Sequence, residues 1–359
     1  METFLGSSQI PEYNPLTHYF DNLKFSGSGF LDELVSCVHP LHEKYQRRFS
    51  EKEAGSVIRH LLKKWFIASY RGATGRGNIN DVMLVLISEG QGKYKTSFLN
   101  YLTPEALKSY AYTGAIAPSF SDYNTQLQLC EKFIVNIDDQ MDNMDYKDFG
   151  KLKSILSSEC ITMRRKYAAN QENRRRIASF CGSINNENFL RDVSNRRYLS
   201  ICIERIDFDR VKKIDMDAVW SEVKKLSETI PEKYYTYNLE DRMNIEKLNE
   251  SFTVSTVEHE LLASLFKAVD ETDKRVYYLT ATEILNIIVI KSGFKALREY
   301  NLYIAFRKEK IEQTSKRMLR FGGIPRKVYK VSTVFDKDNY IHSIIKDNVS
   351  GDDFCEELR

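Results

Sequence analysis

Apolar residues follow two different spacings along this chain. Within residues 1–75 they recur every three or four positions, as in Ala54–Ile67, which predicts amphipathic helices. Further on, short continuous apolar runs such as Val82–Ile87 and Leu199–Ile203 alternate with mixed stretches. Runs of this length predict strands that are buried on both faces. The pattern therefore predicts an α/β protein with a parallel-sheet core behind an N-terminal helical region.

Helical spacing returns after residue 210, and residues 276–333 look like a separate small module. Thr280–Glu283 reads as a capping box before an apolar run. A basic amphipathic stretch, Leu302–Leu319, follows it, and then a turn and an alternating strand at Lys327–Val331. Helix, helix, basic helix and hairpin predict a winged helix, whose third helix would suit a DNA groove.

Positive charge is concentrated in this module, although the net charge of the 359-residue chain is only +3. Between residues 307 and 330, nine basic residues accompany two acids. Phosphate contacts from such residues position a protein on DNA. The alternative is a solvated basic helix face. The candidate DNA-binding residues are Lys316, Arg317, Arg320, Arg326 and Lys327.

Composition excludes other classes of protein. No apolar run approaches the roughly 18–20 residues of a membrane span, and Met1–Gly6 lacks the form of a signal peptide. We therefore expect a cytoplasmic protein. The six cysteines form no C-x-x-C pair, which favours reduced and mostly buried thiols. His39 and His42 have a metal-like spacing but no ligand nearby in sequence, which favours a chance pair.

The loop after Val82–Ile87 carries the strongest sign of chemistry. A strand, a glycine-containing loop, Lys95-Thr96 and a helix at Phe98–Leu102 form the layout of a nucleotide phosphate cradle. Lys95 would reach the terminal phosphates of the nucleotide, and the Thr96 hydroxyl would ligate Mg²⁺. The candidate nucleotide-binding residues are Gly90, Gln91, Gly92, Lys93, Tyr94, Lys95, Thr96 and Ser97.

The loop departs from the usual pattern G-x-x-x-x-G-K-[ST] at two positions. Glu89 and Tyr94 stand where the pattern has glycine, while Gly90 and Gly92 lie inside the loop. A tyrosine is unfavourable there if the backbone needs a positive φ. The pattern alone leaves open both nucleotide binding and an ordinary surface loop that holds a lysine.

Polar residues at the ends of later strands extend the candidate site. The run Lys132–Asp139 ends in paired carboxylates, of which Asp138 would hold Mg²⁺ and Asp139 would activate the attacking water. An acidic turn after a strand is the alternative. Asn185 follows the run Ile177–Ile184 and could sense the γ-phosphate.

Two arginines, Arg196 and Arg197, precede the run Leu199–Ile203. Arginines at this place could face the nucleotide of a neighbouring subunit, as an arginine finger does.

With these blocks in place, the chain resembles the virulence-associated protein E family of phage and mobile-element proteins. Members of that family are P-loop NTPases related to superfamily 3 helicases and the AAA+ group. Lys166, where a proline is common, and the absence of a glycine before Arg196 are small departures. The matching blocks are collinear: Asn14–Tyr19, Gln91–Phe98, Ile137–Asp139, Arg164–Tyr167, Arg176–Phe180, Asn185 and Leu190–Tyr198.

The resemblance implies an Mg²⁺- and ATP-dependent, helicase-like motor that acts on single-stranded or duplex DNA in the replication of a phage or mobile element. It also implies a homo-oligomeric ring with ATP sites shared between subunits. The first 75 residues leave no room for a polymerising domain, so we expect any primase to be a separate protein. The alternatives are a nucleotide-gated DNA-binding or regulatory module and a defence or virulence effector.

The predicted fold class is thus an AAA+/superfamily 3 helicase-like P-loop NTPase with a C-terminal winged-helix-like module. The expected segments are the N-terminal helical region (1–75), the P-loop NTPase core (76–210), a helical extension (211–275), the winged-helix-like basic module (276–335) and an acidic tail (336–359).

Overall fold

The chain forms two units, residues 1–253 and 254–359, in a computed structural model. The structure describes residues 13–90, 92–114, 122–138, 144, 146–164, 170–185, 189–190, 195–232, 236–253, 256–270, 273, 275–317, 322–334 and 355–357.

The first unit contains both helices and strands. Its helices are α1 (Pro15–Asn22), α2 (Phe30–Ser36), α3 (Glu51–Thr74), α4 (Lys95–Tyr101), α5 (Tyr123–Glu131), α6 (Tyr146–Ser157), α7 (Phe208–Val211), α8 (Met216–Thr229) and α9 (Leu239–Asn249). Its strands are β1 (Val38–Pro40), β2 (Met83–Ile87), β3 (Ala111–Thr113), β4 (Ile134–Asn136), β5 (Cys160–Met163), β6 (Glu172–Arg175), β7 (Ser179–Ile184) and β8 (Tyr198–Ile206).

The second unit contains helices α10 (Val257–Leu265), α11 (Ala281–Ser292) and α12 (Glu299–Lys308). Its strands are β9 (Phe266–Ala268), β10 (Arg275–Leu279), β11 (Glu312–Arg317), β12 (Pro325–Thr333) and β13 (Cys355–Glu357).

The main sheet of the first unit has the strand order β1-β8-β2-β7-β4-β3. Its strands are parallel except for β1, which pairs antiparallel with β8. The strand predicted at Val82–Ile87 is β2, which is buried along its length between β7 and β8. Ile87 lies opposite both Ile184 and Cys202, so the chain leaves β2 and β7 at the same edge. The predicted mixed α/β fold with a mostly parallel sheet is confirmed.

A single hydrophobic core joins the N-terminal helices to this sheet. The ring of Phe20 on α1 meets Tyr70, Phe133 and Trp220 edge-on, at centroid distances of 5.0 to 5.9 Å. Each aromatic pair of this kind is worth about 0.5–1.5 kcal/mol beyond its buried area. The Trp65 indole donates to the Val82 carbonyl at 3.1 Å, which fixes α3 to the start of β2.

A fully buried arginine joins the backbone just before β2 and β7 to the end of α6. Arg176 donates to the carbonyls of Asn80, Leu156 and Ser158 at 2.9 to 3.1 Å and also to Ala178 O. Burial lowers its pKa to about 10. Each of these carbonyls would otherwise need another donor in the core. Arg176, which opens the family block Arg176–Phe180, is therefore a structural residue.

The second unit packs its three helices around an antiparallel sheet in which β12 pairs with β9, β10 and β11. The capping box predicted at Thr280–Glu283 is present: the Thr280 hydroxyl accepts from the Glu283 N–H, and Glu283 Oε2 accepts from the Thr280 N–H. Leu302, Phe306 and Val331 are buried in its core.

The prediction of one basic helix over Leu302–Leu319 is wrong beyond Lys308. Helix α12 ends there because Lys310 takes a left-handed conformation with φ of 54°. The Ile311 N–H then bonds Phe306 O at 2.9 Å, and the Lys310 N–H bonds Arg307 O at 3.2 Å, the hydrogen-bond pattern of a Schellman motif. Ile311 and Phe306 are both buried, which seals the helix end. The chain continues as β11, so Lys316 and Arg317 lie on a strand.

Candidate functional site

Among the described residues of the loop between β2 and α4, three have positive φ. These are Gly90 (83°), Gly92 (87°) and Tyr94 (59°). Among the described residues other than the immediate chain neighbours, no atom lies within 4 Å of where a Cβ would stand on either glycine, so these residues leave the space above them open. Tyr94 occupies the position at which glycine is usual, and its backbone does need the left-handed conformation.

A second aromatic residue lies against Tyr94 and holds it in this conformation. The Tyr94 ring stacks on Phe208 of α7, with centroids 5.2 Å apart and planes 13° from parallel. A left-handed non-glycine residue costs about 1–2 kcal/mol, and a stacked aromatic pair returns about 0.5–1.5 kcal/mol. The two effects are of similar size, so the loop accommodates tyrosine.

Lys95, the first residue of α4, is buried and directs its ammonium group between β2 and β7. Its Nζ donates to Ser88 Oγ at 2.9 Å, to Ile184 O at 2.8 Å and to Asn185 Oδ1 at 2.7 Å. The structure thus brings together Lys95 and Asn185, two candidates that are 90 positions apart in sequence. Both lie at the carboxyl edge of the sheet.

Thr96 and Asp138 meet beside this lysine. The Thr96 hydroxyl donates to Asp138 Oδ1 at 2.7 Å, and the Ser183 hydroxyl donates to the same oxygen at 2.6 Å. Ser183 was missed by the sequence analysis, which assigned it to a buried strand. Its only signal is that it is polar and stands next to last in β7. Gln91 and Asp139 lie outside the described residues.

A close approach of strands sets the distance between Ser183 and Asp138. A Cβ on Gly182 would lie 2.8 Å from Ile137 O, so glycine is required where β7 passes the end of β4. The neighbouring Cys181 is fully buried. Burial, and then the charge of Asp138, raises the pKa of its thiol. Cys181 is therefore an inert core residue.

The donor set at this edge fits a hard cation. A hydroxyl and a carboxylate oxygen are ligands that Mg²⁺ prefers, and Mg²⁺ usually takes its remaining ligands from water and substrate phosphates. Thr96 and Asp138 would hold the ion. Across the part of the chain that the structure describes, no group of three or more His, Cys, Asp or Glu residues is placed to bind a metal. A site of one carboxylate and one hydroxyl needs no such group.

Arg196 and Arg197 lie at the opposite edge of the sheet. They immediately precede β8, whose first residue, Tyr198, is opposite Met83 at the start of β2. The five residues of β2 separate this edge from the loop. At about 3.3 Å per residue, that is roughly 13 Å along the strand. The structure therefore does not bring these arginines to Lys95 of the same chain.

Two residues of α9 hold the turn that carries these arginines. Arg242 donates to Arg196 O at 3.2 Å, and its other guanidinium nitrogen donates to both oxygens of Asp81 at 2.8 Å. Asn249 Nδ2 donates to Asn195 O at 2.8 Å and to Tyr198 O at 2.7 Å. Arg242 and Asn249 could not be predicted as partners of this turn, because no local pattern links α9 to a turn some 50 positions earlier.

The candidate DNA-binding residues of the second unit lie on the hairpin of β11 and β12. Lys316 is opposite Arg326, and Arg317 is opposite Pro325. Arg317, Arg326 and Lys327 are exposed. Lys316 is half-buried, with its Nζ 3.4 Å from the centroid of the Tyr278 ring. Arg320 lies outside the described residues.

The two histidines at metal-like spacing have separate carboxylate partners. His39 Nε2 lies 2.8 Å from Asp207, and His42 Nε2 lies 3.8 Å from Glu51. Hydrogen bonds from His39, and then from Arg205, lower the pKa of Asp207. The two rings thus have different carboxylate partners.

These features define a mixed α/β protein with a lysine, a hydroxyl and a carboxylate at the carboxyl edge of a parallel sheet. The chain belongs to the virulence-associated protein E-like domain family, whose sequence profile matches residues 37–254. The match includes the loop, Asp138, Asn185 and the arginine turn.

Two solved structures of the C-terminal region of NrS-1 are similar to this chain. The apo structure of residues 305–718 has a TM-score of 0.49 and 14% sequence identity, over 90% of this chain and 79% of that one. The A form apo structure has a TM-score of 0.46 and 12% identity, over 90% and 78%. Curated proteins give no match. No described helix is both long enough and apolar enough to span a bilayer.

Proposed function

We propose that this protein is an Mg²⁺- and ATP-dependent P-loop NTPase that works as a helicase-like motor on DNA, in the replication of a phage or mobile element. Membership of the virulence-associated protein E-like family supports a replication-associated role. The contact between Thr96 and Asp138, beside the buried ammonium group of Lys95, carries the proposal.

The residues at the carboxyl edge fit the parts of a phosphoryl-transfer site. The open space above Gly90 and Gly92 leaves the loop free to approach a phosphate chain closely. Lys95 supplies a positive charge, and Thr96 with Asp138 supplies oxygen ligands. When bound, Mg²⁺ neutralises charge that develops on the phosphates. Asn185 is within hydrogen-bond distance of the same ammonium group, which suits a residue that senses the γ-phosphate.

Two assignments in this proposal rest on the sequence. Asp139 follows Asp138 directly and is the candidate base that takes a proton from the attacking water. Arg196 and Arg197 would act on the nucleotide of an adjacent subunit, because their position at the far edge of the sheet leaves them remote from Lys95 of their own chain. A homo-oligomeric ring with shared sites follows from that role.

The second unit supports contact with DNA. Its order of helix, two strands, two helices and a β-hairpin suits a winged-helix-like module. The exposed cations on the hairpin would contact phosphates, as the wing of such a module does. Since the strand β11 replaces the end of the basic helix expected from the sequence, the phosphate contacts would be made by a hairpin.

The test is ATP turnover by the full-length protein, with and without single-stranded DNA and across Mg²⁺ concentrations. A motor should need Mg²⁺ and be stimulated by DNA. Displacement of a labelled strand from a forked duplex, fuelled by ATP, would then show unwinding. Turnover that is absent under all these conditions would reject the NTPase.

A nucleotide-gated DNA-binding or regulatory module is the second candidate, and one observation favours it. The Lys95 ammonium group already donates to Ser88, Ile184 and Asn185, so a phosphate must displace protein acceptors to reach it. Such an exchange suits a switch that binds nucleotide and turns over slowly. Tight ATP binding with slow turnover that DNA does not stimulate would favour this reading.

A further inference from the structure

A groove in the second unit brings aromatic rings next to two of the hairpin cations, and the proposed phosphate contacts use only the cations. It lies between α12 and the hairpin of β11 and β12, and its volume is about 780 Å³. Aromatic rings and cations line it together. The rings are Tyr303, Phe306 and Tyr329, and the cations are Arg307, Arg326 and Lys327.

The aromatic residues form a fixed floor with one accessible ring. Phe306 and Tyr329 are buried and stack on each other, with centroids 3.9 Å apart and planes 25° from parallel. Tyr303 lies 6.4 Å from both rings and is 41% exposed. The inner pair therefore supports a third ring at the surface of the groove.

Hydrogen bonds at the hydroxyl ends hold two of these rings in orientation. Tyr303 donates to Glu299 Oε1 at 2.7 Å, and Gln313 Nε2 donates to the Tyr329 hydroxyl at 2.9 Å. The bond to Glu299 raises the pKa of Tyr303 to about 12, so the phenol stays neutral at physiological pH. An aromatic ring that is already fixed loses little conformational entropy when a flat ligand stacks on it.

The charge of the groove selects an anionic ligand. Arg307, Arg326 and Lys327 are all exposed. Among the described residues that line the groove, Glu299 is the one carboxylate, and it already accepts from Tyr303. Three cations against one acid, next to a free aromatic face, match a ligand with regularly spaced negative charges and flat rings between them.

We propose that this groove binds single-stranded DNA, with an unpaired base stacked on Tyr303 and the adjoining phosphates held by Arg307, Arg326 and Lys327. That the ligand is DNA rests on the proposed function. That it is single-stranded is inferred from the aromatic side chains of the groove. In a duplex the base faces are covered by neighbouring pairs, whereas a single strand offers them to aromatic side chains. The motor would thereby hold a separated strand in its second unit.

The test measures binding of labelled oligonucleotides to the full-length protein. Three probes separate the contributions: oligo-dT, an abasic strand of equal length that keeps the phosphates, and a duplex. Wild-type protein should bind oligo-dT most tightly. Tyr303→Ala should weaken binding to oligo-dT about 5- to 150-fold and leave binding to the abasic strand unchanged.

Two matched variants control for folding and for the hydroxyl. Tyr303→Phe keeps the ring and should bind oligo-dT nearly as wild type does. Tyr300→Ala removes an exposed tyrosine of the same helix, and Tyr300 is not one of the residues that line the groove. This variant should bind all three probes as wild type does. Arg326→Gln with Lys327→Gln should weaken binding to oligo-dT and to the abasic strand alike.

Several results would overturn the proposal. One is equal affinity of the wild-type protein for oligo-dT and the abasic strand. Another is a Tyr303→Ala protein that binds oligo-dT as tightly as wild type does. A third is an equal loss of affinity for oligo-dT in Tyr303→Ala and Tyr300→Ala. Displacement of oligo-dT by equimolar polyglutamate would point to an acidic protein segment instead. ATP turnover measured without DNA separates the two ideas. Turnover without Tyr303-dependent binding removes only this inference, and Tyr303-dependent binding without turnover removes only the NTPase.

Discussion

The hydroxyl of Thr96 donates to Asp138 Oδ1 at 2.7 Å, joining the start of α4, which follows β2, to the end of β4 across 42 positions of sequence. Because β7 lies between β2 and β4 in the sheet, Ser183 and Asn185 at its end lie next to this contact.

Replacing Lys95 with alanine should reduce ATP binding and turnover at least about 100-fold, because the charge facing the phosphates is lost. Lys213→Ala is the matched control. It removes an exposed lysine of the first unit that is not among the candidate site residues. Calorimetric ATP titration and phosphate-release assays check this. A Lys95→Ala protein that binds and hydrolyses ATP normally would contradict the site.

Substitution of the neighbouring residues Asp138 and Asp139 should affect ATP turnover in different ways. Asp138→Asn should raise the Mg²⁺ concentration needed for half-maximal turnover, because it removes a charged ligand from the oxygen cluster. Asp139→Asn should keep nucleotide binding and lower turnover by about 100-fold or more, as expected when a general base is lost. Turnover measured against Mg²⁺ concentration for both variants decides this. Unchanged activity in both would make the acids an ordinary strand end.

Activity should be recovered when two inactive proteins are mixed. Arg197→Ala keeps the loop, and Lys95→Ala keeps the arginine at the opposite edge of the sheet. In mixed oligomers some interfaces would combine both intact parts. An arginine finger is worth about 10³-fold or more, so partial recovery is readily measured by ATP turnover. Arg196→Ala should be mixed in the same way. Failure to recover in oligomers whose mixing is verified by mass would assign these arginines a role within one chain.

If the hairpin cations contact phosphates as we propose, salt should weaken DNA binding steeply. The log–log slope should be about 0.9 per phosphate on duplex and about 0.7 on single strands. Changing Arg317, Arg326 and Lys327 to glutamine should reduce the slope by roughly two to three units. We exclude Lys316 from this set because its ammonium group lies over Tyr278.

The control for that experiment has the same change in net charge in the first unit. Lys52, Lys213 and Lys225 are exposed there, and their triple glutamine variant should keep the wild-type slope. Fluorescence anisotropy from about 50 to 300 mM salt is the measurement. Equal reductions in both triple variants would place the DNA contacts outside the hairpin.

A buried ion pair should make the first unit sensitive to acid. Lys64 Nζ lies 2.5 Å from Asp241, and both side chains are less than 5% exposed. Burial tends to raise the pKa of Asp241, but hydrogen bonds from His60, Lys64 and the Asn238 N–H outweigh it and leave the pKa below its ordinary value. The pair therefore stabilises the fold above the ordinary carboxyl range near pH 4, and this stability is lost as the pH falls through the lowered pKa.

Asp241→Asn leaves Lys64 buried without its partner and should cost about 3–5 kcal/mol at pH 7. The difference from wild type should shrink below about pH 4, where the wild-type carboxylate becomes protonated. Denaturant unfolding followed by tryptophan fluorescence reports on this unit, because Trp65 and Trp220 are both buried in it. A double variant, Lys64→Met with Asp241→Leu, should be less destabilised than Asp241→Asn. A pH-independent difference would exclude the ionised pair as the cause.

The sequence determined the local elements because each depends on neighbouring residues. The apolar run Val82–Ile87 has no polar side chain to face water, so it had to be buried on both faces. Met83–Ile87 of this run forms β2. The capping box at Thr280 fixed the start of α11. The Lys95-Thr96 pair and the carboxylate of Asp138 were recognisable as candidates because their chemistry is carried by residue type and by position at a strand end.

The tertiary structure decided which of these residues meet, because contacts across many positions depend on strand order and not on local pattern. Insertion of β7 between β2 and β4 brought Ser183 to Asp138 and Asn185 to Lys95, while the same parallel sheet put Arg197 at the far edge. Pairing with β12 made a strand of residues that helical spacing had assigned to a helix. Phe208 supports the left-handed Tyr94 from more than 100 positions away, and no local signal in either segment could have indicated it.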